Sequence, residues 1–174
     1  MHALRLLSLV GAAVLVHLLG MHLVPSLASG LDVFLVVVVL YGLESSSLAA
    51  LLAGLAVGLL HDTLISEPGH PFGLFGFADT IVGYTTARLA QRLVIQRATG
   101  VLALVSFAAV AQQTIVVALT FLLLPSPDLP NPVWVAVQAG ACGVLGMLIH
   151  VATIRWQRSA EARRRGRMSR LRLG

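Results

Sequence analysis

Charged residues are scarce in this chain, and lysine is absent altogether. Only 11% of the 174 residues are charged, against about 25% in a typical soluble domain. Mean hydropathy is +0.91 and apolar residues make up 57% of the chain, so the composition excludes a soluble domain. Cys142 is the only cysteine, which excludes a disulfide framework or a cysteine metal site within one chain.

Motifs that usually signal catalysis are also missing. The sequence has no P-loop, no HExxH, no GxSxG and no paired metal-ligand spacing. Nothing in it nominates a nucleophile together with its base. We therefore predict a protein that is not an enzyme and that needs no cofactor. No repeat of fixed period and no clear inverted duplication is visible either.

What the sequence does contain is a series of apolar segments separated by turns rich in proline, glycine and serine. At about 20 residues per span, the chain has room for six or seven spans at most. Six segments are drawn: about Leu4 to Val24, Leu31 to Leu43, Ser47 to Ile65, Phe72 to Ala90, Gly100 to Leu124 and Val133 to Ile154. We predict an all-α integral membrane protein in which residues 1–154 form six transmembrane helices and residues 155–174 form a basic tail.

Two of these segments leave alternatives open. The second segment, at roughly 13 residues, is short for a span. It either extends through Tyr41 to Ser45, tilts little, or lies shielded inside the bundle. The first segment is read as a retained span, because its apolar run exceeds the 7–15 residues usual in signal peptides. A cleaved signal peptide ending at Ser26-Leu27-Ala28 is the alternative.

The basic residues, all twelve of them arginine, predict the topology. With the amino terminus inside, the fourth and fifth segments are joined on the inner side, and the three outer loops contain no arginine. Those outer loops carry Asp32, Glu67 and Asp128. The inner arginines of this loop and of the tail are Arg88, Arg92, Arg97, Arg155, Arg158, Arg163, Arg164, Arg165, Arg167, Arg170 and Arg172. We predict that both termini are cytoplasmic and that the tail contacts anionic lipid rather than nucleic acid.

Small residues recur at every fourth position of the third segment. Ser46, Ala50, Gly54, Gly58 and Asp62 are spaced four apart, so they share one face of a helix. In lipid, such a face lets a second helix approach closely, because no side chain holds the two backbones apart. The pattern predicts tight helix packing, with a carboxylate at one end of the face.

Polar residues inside the apolar segments are costly in a membrane and each has two interpretations. His61 and Asp62 are either a proton or metal site, or Asp62 caps the following turn or pairs near the interface. Asp79 either binds a substrate or partner, or bonds to a neighbouring helix. Gln112 and Gln138, with Gln113, Thr114, Cys142 and His150 beside them, either join helices by hydrogen bonds or line a ligand cavity.

The order of four segments resembles the MreD family of rod-shape membrane proteins. A short valine-rich span opened by an acidic residue covers Leu31 to Leu43, and a glycine-rich span covers Gly54 to Leu64. The segments P-F-G-L-F-G-F, from Pro71 to Phe77, and D-T-I-V-G-Y, from Asp79 to Tyr84, follow. The likeness covers nearly the whole chain by length and topology, whereas its motifs lie between Leu31 and Arg88.

The resemblance implies a non-catalytic scaffold of the cell-elongation complex in the bacterial inner membrane. Such proteins associate with MreC, and through it with a class B penicillin-binding transpeptidase and a SEDS-type glycosyltransferase that synthesise peptidoglycan. The family also resembles the substrate-binding S components of ECF-type vitamin transporters, which gives a six-helix bundle as the expected fold and vitamin binding as the alternative function. The expected structural or partner-docking positions are Gly54, Gly58, Asp62, Gly73, Asp79 and Gly83.

Overall fold

All regular structure in the described part of the chain is helical. The computed structural model describes residues 2–23, 31–64, 71–92, 97–124 and 130–171. Within these ranges the helices are α1 (His2–Leu23), α2 (Val33–Glu44), α3 (Ser47–Leu64), α4 (Leu74–Arg92), α5 (Ala98–Leu123) and α6 (Pro132–Leu171). The prediction of an all-α chain is confirmed over these residues, and the helices follow the order of the six apolar segments.

Three helices are long and apolar enough to cross a membrane. They supply the stretches Ser47–Leu64 in α3, Ala98–Leu123 in α5 and Pro132–Trp156 in α6. Shorter apolar stretches run over Leu6–Gly20 in α1 and over all of α2. By the length and composition of these helices the chain is a membrane protein, whereas the full count of six spans stays a prediction.

The short helix α2 lies at the centre of the molecule and contacts all five of the other helices. Its residues from Val33 to Val39 are buried on every side. Twelve residues extend only about 18 Å, well short of the roughly 30 Å hydrocarbon core of a bilayer. Of the alternatives open for this segment, the structure combines two: the helix extends through Tyr41 to Glu44, with Ser45 as its C-cap, and it lies shielded inside the bundle.

Sequence explains how a run of valines becomes a helix at this position. Valine is a weak helix former, because branching at Cβ restricts its side chain, but a helix that is apolar all round is stable when it is buried. Asp32 supplies the start signal: its Oδ1 accepts a hydrogen bond from the Leu35 backbone N–H at 2.9 Å. This N-cap satisfies one of the donors that the first turn leaves free.

The last helix continues from the apolar segment into the basic tail without a break. α6 has 40 residues, of which the apolar stretch ends at Trp156. The possible cleavage site at Ser26-Leu27-Ala28 and the acidic residues Glu67 and Asp128 lie outside the described residues. So do most of the tail side chains, so the expected contact of the tail with anionic lipid stays a prediction.

Candidate functional site

Glycine brings the backbones of α3 and α4 into direct contact. Gly54 faces the backbone carbonyl of Asp79, so closely that a side chain at residue 54 has no room. From the other helix, Gly83 faces the carbonyl of Ala50, and a Cβ placed on it would lie 2.5 Å from that oxygen. Backbone atoms cannot move aside as a flexible side chain can. This contact therefore fixes how α3 and α4 sit against each other.

Further along the same interface, Gly58 meets the first turn of α4. A Cβ on Gly58 would lie 2.5 Å from the Phe75 carbonyl oxygen and 2.7 Å from the Gly76 Cα atom. The predicted face of small residues on α3 is thus turned towards α4, over the described part of the chain. Its glycines pack within this chain along the length of that face.

Asp62, at the end of this face, caps the amino terminus of α4. Its Oδ1 accepts a hydrogen bond from the Phe75 N–H at 3.2 Å, and its Oδ2 accepts one from the Gly76 N–H at 2.9 Å. These N–H groups belong to the first turn of α4 and have no partner within that helix. A carboxylate there also faces the positive end of the helix dipole. Of the alternatives for Asp62, the geometry has the cap.

Gly73 forms the turn through which the chain enters α4. Its φ is +97°, in a region that residues with a side chain rarely adopt. Its carbonyl accepts the hydrogen bond from the Phe77 N–H at 2.9 Å, the first bond of the helix. Because a Cβ there would meet no atom within 4 Å, the need for glycine is conformational. The turn directs the first N–H groups of α4 towards Asp62.

Beside this helix pair lies a buried polar cluster, which consists of Asp32, His61, Asp79 and Gln112. Gln112 of α5 is its centre: its Nε2 donates to Asp32 Oδ2 at 2.9 Å and to Asp79 Oδ1 at 2.7 Å. Gln112 and Asp79 are fully buried, and Asp32 is 5% exposed. A single amide group thus joins the start of α2, the middle of α4 and the middle of α5.

His61 supplies the nearest group that can carry a positive charge against these carboxylates. Its Nδ1 lies 3.8 Å from Asp32 Oδ2, which is too long for a hydrogen bond but close enough for an ion pair when the ring is protonated. Two buried carboxylates on one amide need such compensation, or a proton, because an uncompensated charge is costly in an apolar interior. Among the described side chains, His61 is thus placed where it could supply that compensation.

Aromatic rings close the cluster on the side of His61. The ring of His61 lies 4.8 Å from that of Phe34 and 4.5 Å from that of Phe75, measured between centroids. His17 of α1 stands edge-on to it at 6.0 Å. These distances are those of packed aromatic pairs. The rings bring α1, α2, α3 and α4 together at one end of the bundle.

Three buried polar atoms of the cluster have no hydrogen-bond partner within the described residues. They are His61 Nδ1, Asp79 Oδ2 and Gln112 Oε1. A carboxylate oxygen and an amide oxygen each accept up to two hydrogen bonds, so the cluster has unused capacity for donors. In the described ranges, no three histidine, cysteine, aspartate or glutamate side chains are grouped so that they could hold a metal ion.

Polar residues of α5 and α6 connect the last two helices more loosely. Gln113 Nε2 and Gln138 Oε1 are 3.4 Å apart in a partly buried contact, which is long for a hydrogen bond. The Cys142 thiol lies 3.8 Å from the Asp32 carbonyl oxygen and is fully buried. These side chains join helices to one another, which is the first of the alternatives open for them.

The sequence did not predict the role of Asp32 in the cluster or of His17 beside it. Asp32 is expected in an outer loop, because it follows a turn and precedes an apolar run, yet it is buried. A helix N-cap fits the same pattern, and that is the signal that locates it. His17 has no sequence signal at all, because only the packing of α1 against α2 and α3 brings it near His61.

Comparison of the chain with family models, with curated proteins and with solved structures finds no match. The arrangement described above joins α2, α3, α4 and α5 through backbone contacts, a helix cap and buried hydrogen bonds.

Proposed function

We propose that this chain is a non-catalytic membrane scaffold of the bacterial cell-elongation complex, as its resemblance to the MreD family implies. The observation that carries the proposal is the use made of the polar residues between Leu31 and Arg88. Asp62 caps α4, while Asp32 and Asp79 share the amide of Gln112. These interactions hold helices together, which is what a scaffold requires of buried polar groups.

The packing of the polar end of the bundle supports the same function. The ring of His61 contacts those of Phe34 and Phe75 there, at 4.8 and 4.5 Å between centroids. An S component would need this end for its substrate. A scaffold instead presents outer surfaces to other membrane proteins, and α1, α5 and α6 each carry exposed large apolar side chains. In this proposal the single span of MreC docks on one of those outer surfaces, since the glycines of α3 face α4.

The proposed topology has six spans with both termini in the cytoplasm of the bacterial inner membrane. It rests on the arginines that flank the fourth, fifth and sixth segments and on their absence from the alternate loops. The chain suits a labelling test, because Cys142 is its only cysteine and is buried. In a Cys142→Ser background, Ser126→Cys should react with an impermeant maleimide added outside, whereas Gln96→Cys should react only after the membrane is opened. The reverse labelling would contradict the topology.

The function itself is tested by recovering the tagged full chain from native membranes in mild detergent and identifying its partners by mass spectrometry. Recovery of MreC with the penicillin-binding and SEDS proteins is the expected result. Recovery of a membrane coupling subunit with paired ATPases would overturn the scaffold and make the chain the substrate-binding component of a transporter. A tagged, unrelated membrane protein of similar size serves as the control for carry-over.

A further inference from the structure

A groove of about 440 Å³ runs between α4 and α5 on the outside of the bundle. This volume lies within the range of sites that bind small molecules, roughly 300–1,000 Å³. Its walls are mainly aliphatic and aromatic, and its two charged side chains, Arg88 and Arg92, stand together at the last turns of α4. The groove thus has an apolar body and one cationic end.

The length of the groove distinguishes between possible occupants. On α4 it reaches from Ile81 to Arg92, and on α5 from Leu104 to Ile115, which is about 16 Å along either helix. One leaflet of a bilayer has a hydrocarbon thickness of about 15 Å, half of the full core. A partner helix or a second copy that spans the membrane would need a surface about twice as long. The groove therefore matches the acyl chain of a lipid in one leaflet.

The cationic end is arranged to receive an anion. Arg88 Nε donates to the Tyr84 hydroxyl at 3.0 Å, and its guanidinium lies 5.5 Å from the centre of the Tyr84 ring. Arg88 and Arg92 are exposed and form no ion pair with another described side chain. Guanidinium donors match the oxygens of a phosphate group. Tyr84 thus holds one of the two arginines in place at the groove.

We propose that the α4–α5 groove binds one anionic phospholipid, with an acyl chain along Phe107, Ala111 and Ile115 and its phosphate at Arg88 and Arg92. This site is separate from the basic tail and from the buried polar cluster, and it does not depend on the function proposed above. The lipid would be bound between α4 and α5, both of which contact the central α2.

The test measures binding of a fluorescent phosphatidylglycerol to the purified, delipidated full chain in mild detergent, with phosphatidylcholine of the same acyl chains as competitor. We expect phosphatidylglycerol to bind more tightly. The double variant Arg88→Gln/Arg92→Gln should weaken its binding roughly thirty-fold, since each arginine near an anionic lipid contributes about fivefold. The affinity for phosphatidylcholine should not change.

Two matched variants keep this result specific to the groove. Arg5→Gln removes one positive charge from α1, which does not line the groove, and should leave the phosphatidylglycerol affinity within twofold, whereas Arg88→Gln alone should lower it about fivefold. Ala111→Phe fills the groove and should weaken both lipids at least tenfold, whereas Ala136→Phe, at an exposed site on α6, should not. Lipid affinities are compared only for variants whose unfolding temperature equals that of the unsubstituted chain.

Three results would overturn the site. The first is equal affinity for the two lipids, and the second is an equal loss of phosphatidylglycerol affinity in Arg5→Gln and Arg88→Gln. The third is a change of oligomeric state in Ala111→Phe with lipid affinity unchanged, which would assign the groove to a second copy of the chain.

Discussion

The pair α3–α4 and the pair α5–α6 both place glycine where two helices meet, but what lies opposite the glycine differs. Gly54 and Gly83 face backbone carbonyls across α3–α4. Across α5–α6 the nearest atoms belong to side chains: Gly143 faces the Ser106 hydroxyl, and an added Cβ on Gly146 would lie 2.8 Å from a methyl carbon of Val105. The nearest carbonyl oxygen there, that of Leu102, lies 3.0 Å from an added Cβ on Gly143. A serine hydroxyl can rotate away, whereas a carbonyl in the middle of a helix cannot. The two pairs therefore differ in how much change they tolerate.

Burial and hydrogen bonding follow the same division. Of the apolar stretch in α3, 39% is buried, against 22% of that in α6. The hydrogen bonds that Asp62 accepts across α3–α4 are buried and 2.9–3.2 Å long, whereas Gln113 and Gln138 meet across α5–α6 at 3.4 Å. The α3–α4 side of the molecule is a rigid core, whereas the α5–α6 side leaves more of its surface to lipid or to partners. Helix packing in lipid depends on such close contacts because there is no hydrophobic drive between helices.

The largest effect is expected from Gly54→Leu. The new side chain meets the Asp79 backbone in an interface with no room for it, so α3 and α4 have to separate. The protein should fail to accumulate in the membrane. Gly140→Leu on α6 is the control, because a Cβ at that glycine meets no atom within 4 Å, and it should accumulate normally. Normal levels of Gly54→Leu by immunoblot would show that the α3–α4 contact is not rigid.

A smaller effect is expected from Gln112→Leu, and it should differ clearly from that of the same change at the adjacent Gln113. Gln112→Leu leaves Asp32 and Asp79 without their shared donor and should lower the free energy of unfolding by about 3–5 kcal/mol. The same change at Gln113 removes only a long, partly buried contact and should cost about 0.6 kcal/mol. Unfolding of the purified chain in mixed micelles measures both. Equal losses at the two positions would mean that the cluster does not stabilise the core.

The smallest effect concerns the cap on α4. Asp62→Ala removes both acceptors from the first turn and should cost about 1–2 kcal/mol, whereas Asp62→Asn keeps an acceptor and should cost only a few tenths. The same unfolding measurement applies. If Asp62→Asn destabilised the protein as much as Asp62→Ala, the charge of Asp62 and not its capping would be what stabilises the fold. Asp62 would then count as a charged site like those of the polar cluster.

The helices and the small-residue face could be read from the sequence because both are local patterns. Apolar runs broken by proline and glycine separate the six helices, and a spacing of four places Gly54, Gly58 and Asp62 on one face. Whether that face packs against another helix of this chain or against a partner could not be predicted, since both kinds of contact require the same small residues.

The polar cluster lies beyond sequence reasoning because it is made by tertiary contact. Asp32 and Gln112 are 80 residues apart, and the sequence around either residue gives no sign that the other is its partner. The high cost of a polar group in lipid does single out Asp79 and Gln112 individually. That cost predicts that each has a partner, but only the arrangement of α2, α4 and α5 shows that they are partners of one another.

The position of Gln112 has a consequence for the order in which the molecule is completed. Both carboxylates that it bridges are synthesised earlier, one 80 and the other 33 residues before it. Chains emerge from the ribosome amino terminus first, so α2 and α4 are made before their common donor exists. Until α5 enters the membrane, Asp32 and Asp79 lack the hydrogen bonds from the Gln112 amide. Insertion of the fifth helix is thus the event that supplies the donor shared by α2 and α4, and a ribosome stalled before it leaves these two carboxyl groups without it.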